Sequence, residues 1–98
     1  MKKTTSELTK LPNIGETLAE KLALIGINSK EELQSAGTEN TFIRLKAIDS
    51  EACLSMLCAI DGAIQGIRWY QLNATRKVEL KEFLRMLNLS QQKSTKSQ

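Results

Sequence analysis

The groups in this chain best placed to do chemistry are backbone amides. The stretch LPNIGETLAEKLALIGI, from Leu11 to Ile27, sets Pro12, Asn13 and Gly15 directly ahead of an amphipathic segment. A turn of this kind leading into a helix gathers successive N–H groups into a concavity of positive potential, ready for an anion such as a phosphate. The residues concerned are Asn13, Ile14 and Gly15, with the amides of Glu16 and Thr17. Lys10 before the turn and Lys21 one and a half turns into the helix are flanking cations, whereas Glu16 and Glu20 oppose an anion unless they point away. Asn13 tolerates the left-handed backbone that such a turn needs. Its side chain also stands three residues ahead of Glu16, the spacing of a capping box, which would satisfy some of the same amides from within the protein. The turn therefore has two readings, a phosphate cradle and a purely structural helix start.

Other chemistry is scarce. The 98 residues include no histidine and two cysteines, so the commonest general base and imidazole ligand are missing and a tetrahedral thiolate–imidazole zinc site is out of reach. No nucleophile is paired with a base and the scattered carboxylates form no recognisable pair, so the expectation is a non-enzyme with no metal and no cofactor. Cys53 and Cys58, five positions apart in a segment read as helix, point to different sides of it and read as small buried apolar residues, not as a bridge. The basic start MKKTTSELTK has no apolar stretch behind it, and the greasy run Ala52–Ile60 is far short of the roughly 20 residues that cross a bilayer. These features predict a soluble, cytoplasmic protein with no membrane partner.

The net charge of +3 is unevenly placed: residues 1–30 carry +2, 31–66 carry −4 and 67–98 carry +5. Basic ends around an acidic middle suit a polyanion partner at one surface, and equally the solvated faces of a helical domain. Lys77, Lys81 and Arg85 recur every four residues and make a basic stripe, a secondary candidate for nucleic acid, although Glu79 and Glu82 lie at pairing distance on the same helix. Trp69 and Tyr70 sit where the chain turns between its longest helices. An indole there plugs a core edge or, if exposed, serves as a protein-docking hot spot.

The elements that position these groups are all helical, since apolar residues recur at helical spacing and no sustained alternation suggests a strand. A short helix or arm over about residues 4–10 ends at Pro12. Ile14, Leu18, Leu22 and Ile25 then form one stripe, and Gly26 ends that helix. Ser29 and Glu32 make a capping-box pattern opening a helix that Gly37 closes, and Thr38 is the expected cap of the next, with Phe42 and Leu45 inward. The segment opened by Ser50 is apolar on most sides, with Ala52, Cys53, Met56, Leu57, Ile60 and Ile64 inside, as expected for the centre of a bundle. After Gly66 comes an entry turn and a last helix from about Asn73, its stripe being Leu80, Phe83, Leu84 and Leu87. Residues 89–98 are polar and without periodicity, and are expected to be a disordered tail. The fold expected is a compact all-α bundle of about five helices, one domain over 11–88.

Two resemblances follow from these residues. LPNIGETLAEKLALIGI resembles the helix-hairpin-helix motif, a non-specific DNA-binding element in which hairpin amides face a DNA phosphate; Asn13 stands where the motif has its first hairpin glycine. Over a longer span, from about Leu11 to Leu87, the order LPNIG, GI.S.EEL, RLKA, AIDGAIQG and W..L resembles the C-terminal domain of the TfoX/Sxy family of competence regulators. The resemblance implies a helical module opening with a helix-hairpin-helix. It also implies a role in controlling DNA uptake genes together with the cyclic-AMP receptor protein, through DNA or a DNA-bound transcription regulator. Family members of the full type carry an extra N-terminal domain ahead of this module. The alternative is a protein-interaction or self-association module in which the hairpin only shapes the fold and a patch near Trp69 and Tyr70 meets the partner.

Overall fold

Helices in this chain start and stop where the backbone chemistry changes. The computed structural model describes residues 7–96, with side chains described over 7–90. Among the described residues five complete α-helices follow one another: α1 Glu16–Leu24, α2 Lys30–Ala36, α3 Thr38–Ile48, α4 Leu54–Gln65 and α5 Ala74–Lys96, with a 3-10 turn, Trp69–Gln71, between the last two. No strand occurs among the described residues. The fold is the expected all-α bundle. Of the short helix expected over residues 4–10, Glu7 and Leu8 are helical, and Leu8 is fully buried; positions 4–6 lie outside the described residues.

Glycines do the stopping. Gly26 adopts φ +89°, its N–H donates to the Ala23 carbonyl at 3.0 Å, and the Ile27 N–H donates to Leu22 O at 2.9 Å. That pair of bonds is the Schellman closure, which left-handed glycine makes without steric cost. Ser29 caps α2, its Oγ accepting from the Glu32 N–H at 3.1 Å, while Glu32 returns a carboxylate to the Asn28 N–H at 2.6 Å. Gly37, at φ +82°, ends α2 and opens α3 in one residue. Thr38 is therefore not the expected cap: it lies one position inside α3, and its hydroxyl donates to Asp61 Oδ1 at 2.7 Å.

Helix α4 begins at Leu54, four residues later than Ser50. Asp49 delays it. Its Oδ1 accepts from the Glu51 N–H at 3.0 Å, its carbonyl accepts from the Ala52 N–H, and Lys46 Nζ clamps the Ser50 and Ala52 carbonyls at 2.9 and 3.0 Å. An aspartate bonding its own backbone two residues on offers the chain a turn in place of a helix. Cys53 is thus the exposed residue before α4, not a buried helical one, whereas Cys58 is buried; both thiols are free.

The core forms around α4, which touches α2, α3, the 3-10 turn and α5. Leu57 and Ile60 from α4, Leu22 from α1, Leu33 from α2, Phe42 and Leu45 from α3 and Leu80 from α5 are fully buried. Phe42 meets Phe83 edge to face, with centroids 6.4 Å apart. Leu18, Ile25, Met56, Ile64, Phe83, Leu84 and Leu87 pack against this cluster from partly buried positions.

One buried charge crosses the core. Asp61 is 3% exposed and accepts from Thr38 Oγ1 (2.7 Å), Gln65 Nε2 (2.7 Å), and Arg76 Nε (3.1 Å) and Nη2 (2.8 Å). Arg76 also pairs with Glu39 and Glu79, each at 3.1 Å. Burial works against ionising Asp61, but the donors from Arg76, Thr38 and Gln65 outweigh it and hold the carboxyl below its ordinary range. This network ties α3, α4 and α5 together.

Asn73 Oδ1 accepts from the Arg76 N–H at 2.8 Å and so caps α5. The helix then continues to Lys96, so the expectation of a disordered tail over 89–98 is corrected as far as residue 96. Nothing in LSQQKSTK breaks a helix, and extending an existing one needs only one further hydrogen bond per residue.

Candidate nucleic-acid interface

The hairpin is built from its buried ends inward. Leu8 anchors it, the Leu11 N–H donates to Leu8 O at 2.9 Å, and Ile14 inserts into the core. Between them Pro12 has no amide to satisfy, and Asn13 takes the left-handed conformation at φ +70°, as its residue type allows. Gly15 is extended (φ −93°, ψ −177°) and precedes α1, which has no side-chain cap. The Ile14 N–H makes a long bond to Leu11 O, 3.4 Å, while the amides of Gly15, Glu16 and Thr17 meet no acceptor among the described residues. All three residues are exposed. An uncapped helix start of this kind carries unsatisfied donors at the positive end of its dipole.

The cap is absent because the N-cap position falls on Gly15, which has no side chain, and Asn13 does not stand in for it. The Asn13 side chain turns away from α1: Nδ2 donates to the Ala59 carbonyl at 3.3 Å and to the Ile67 carbonyl at 3.0 Å, and Oδ1 accepts from the Trp69 N–H at 3.1 Å. The capping-box alternative with Glu16 is therefore not what the structure has. Asn13 instead latches the hairpin onto the end of α4 and the 3-10 turn. The latch needs Gly62, because a Cβ there would stand 2.6 Å from Asn13 Nδ2 and 2.8 Å from the Ile67 carbonyl. Gly15, by contrast, has open space where a Cβ would go.

The flanking charges divide. Lys10 and Thr17 are exposed beside the turn. Lys21 is not free, since its Nζ is 2.6 Å from Asp49 Oδ2. That bond from Lys21, with a second from the Glu51 N–H, holds Asp49 below the usual carboxylate range. Glu16 and Glu20 are exposed on the same helix. On α5, Lys81 is exposed and Lys77 half-buried, but Arg85 is engaged by Glu82 through two hydrogen bonds of 3.2 and 2.6 Å, so the basic stripe is partly neutralised.

Trp69 and Tyr70 do not plug a core edge. They are 52% and 60% exposed and meet each other edge to face, centroids 5.6 Å apart at 83°. Asn13 holds the Trp69 N–H and so fixes the start of the turn beside the hairpin, with the rings at the surface. Beside them lies a cleft of about 370 Å³ lined by Asn13, Ser55, Ala59, Arg68 and Trp69. Arg68 forms no ion pair among the described residues. Sequence reasoning passed over Arg68 and over the Asp61–Arg76 network; a lone carboxylate within an apolar helix was the available signal for the latter, since a buried charge requires a partner. No group of three or more metal-ligating residues occurs among the described residues, and no described helix is long and apolar enough to cross a membrane.

Comparison with known proteins agrees with this architecture. No curated protein matches. Similar crystal structures include an uncharacterised protein from Listeria monocytogenes in a triclinic form and a protein of unknown function from the same organism in a tetragonal form. The first is 43% identical with a TM-score of 0.82, over 83% of this chain and 92% of that one. The second is also 43% identical, with a TM-score of 0.79, over 81% of this chain and 98% of that one. The family model of the TfoX C-terminal domain matches residues 4–84, a span that takes in the hairpin, the Asn13 latch and the buried Asp61–Arg76 pair, and the chain belongs to that family.

Proposed function

We propose that this domain is a regulatory module of competence control that grips a nucleic-acid backbone through its hairpin, without reading sequence. The observation that carries the reading is the open start of α1: among the described residues the amides of Gly15, Glu16 and Thr17 meet no acceptor at the surface, since the N-cap is a glycine and the Asn13 side chain is engaged elsewhere. Left-handed Asn13 followed by extended Gly15 presents consecutive N–H groups in the manner of an anion-binding nest. Lys10 is the cation nearest in sequence that is exposed and carries no ion pair among the described residues. Only one or two phosphates are engaged, so the affinity is modest and falls with added salt, with a log–log slope of about −1 to −2.

The test is fluorescence anisotropy of a labelled 20-base-pair duplex over a range of ionic strength. Gly15→Val suits the extended backbone, its Cβ enters open space, and it adds a branched side chain at the residue whose amide opens the helix. It is expected to weaken binding about tenfold with only a small drop in thermal midpoint, valine being a poorer N-cap than glycine, and Lys10→Glu to flatten the salt dependence. Equal affinity in wild type and Gly15→Val removes the hairpin from the contact. No binding by the wild type at low salt overturns the reading and leaves a protein partner as the module's target.

A further inference from the structure

The aromatic turn lies against the hairpin, and the chemistry of the two together is more specific than that of either. Asn13 bonds directly to the Trp69 backbone, so the left-handed residue of the hairpin and the first residue of the aromatic turn share one hydrogen bond. Trp69 and Tyr70 are more than half exposed, and their edge-to-face arrangement leaves ring faces that neither covers for the other. Arg68 adds a guanidinium with no ion-pair partner among the described residues, and none of the residues lining the adjacent cleft is acidic. The surface is thus aromatic and cationic.

We propose that Arg68, Trp69 and Tyr70 form a stacking platform for unpaired bases, which makes single-stranded nucleic acid the preferred ligand of this face. The inference rests on the backbone contact proposed for the hairpin. A base inside a duplex already has both faces stacked and cannot lie on a protein ring, whereas an unpaired base offers a free face to an aromatic side chain. Aromatic residues beside a cation that meets the backbone are the usual means of holding a single strand without reading its sequence. Asn13 is the positioning residue that holds the turn beside the hairpin, and Gly62 leaves the space for it.

Trp69 is the only tryptophan in the chain, so its emission reports on the platform directly. The full chain is titrated at low salt with a 12-mer of thymidine, a duplex of the same length and poly-glutamate, following tryptophan quenching and the anisotropy of a labelled end. The expected result is quenching by the single strand, with affinity about tenfold above that for the duplex. Trp69→Ala loses about tenfold or more of single-strand affinity with duplex binding unchanged, Trp69→Phe recovers most of it, and Tyr70→Ala lies between. Circular dichroism melts check that these exposed substitutions leave the fold in place. Equal binding of both DNAs with unchanged emission overturns the platform and spares the hairpin contact. Binding of neither DNA overturns both, and quenching by poly-glutamate alone reassigns the face to an acidic protein.

Discussion

Helices α1 and α4 end on the same Gly-Ile step. At the first, Gly26 N–H donates to Ala23 O at 3.0 Å and Ile27 N–H to Leu22 O at 2.9 Å; at the second, Gly66 N–H donates to Ala63 O at 3.2 Å and Ile67 N–H to Gly62 O at 2.9 Å. The positions one turn earlier differ. Leu22 fills the core where Gly62 leaves room for Asn13 to dock, and Lys21 reaches Asp49 near the surface where Asp61 is buried against Arg76. An identical backbone closure thus serves a packing role at one end and an assembly role at the other. The difference is made by side chains four and five residues before the glycine.

The sharpest way to break this comparison is to remove the cation at each end. Arg76→Met leaves Asp61 buried without its guanidinium, and is expected to cost about 3–5 kcal/mol in urea denaturation. Acid probes the same pair. Because the folded state holds Asp61 below its ordinary value, its contribution is complete above about pH 4 and is lost as pH falls through the depressed value. Thermal midpoints measured from pH 7 to 2 are expected to drop steeply in the wild type below pH 4, and less steeply in Arg76→Met. Gly62→Ala comes next, at about 1–3 kcal/mol, since its methyl group collides with the latch. Adding Asn13→Gly is expected to recover part of that loss, a coupling that a double-mutant cycle reads directly. The smallest effect is Lys21→Met, less than about 1 kcal/mol, because that pair is partly solvated. Equal losses from Arg76→Met and Lys21→Met would erase the distinction between the two ends.

Much of the scaffold was legible from residue types. The left-handed Asn13, the stop at Gly26, the Ser29 cap and the inward stripes of α1 and α5 follow from local rules and short periodicities. What escaped depends on contacts distant in sequence. Asp61 looked like the end of an apolar run, and its guanidinium partner comes 15 residues later on another helix. Asn13 could be read as a cap because Glu16 is near, but its partners lie 46 to 56 residues away. Size and apolarity leave Trp69 two readings, a core-edge plug or an exposed docking residue, and the choice between them depends on the surroundings of its turn, where it is half exposed and its N–H is bonded to Asn13. Residues 89–96 were judged by their lack of an apolar stripe, which bears on packing more than on whether a helix propagates.

The Asn13–Trp69 bond also gives the domain a built-in clock for its own opening. An amide on an exposed turn ordinarily trades its proton for solvent deuterium quickly, but the Trp69 amide is held by a side chain from the far end of the chain. Its exchange rate therefore measures how often the first hairpin lifts off the rest of the body. Lifting that hairpin exposes the Ala59 and Ile67 carbonyls together, so the three groups part as one unit.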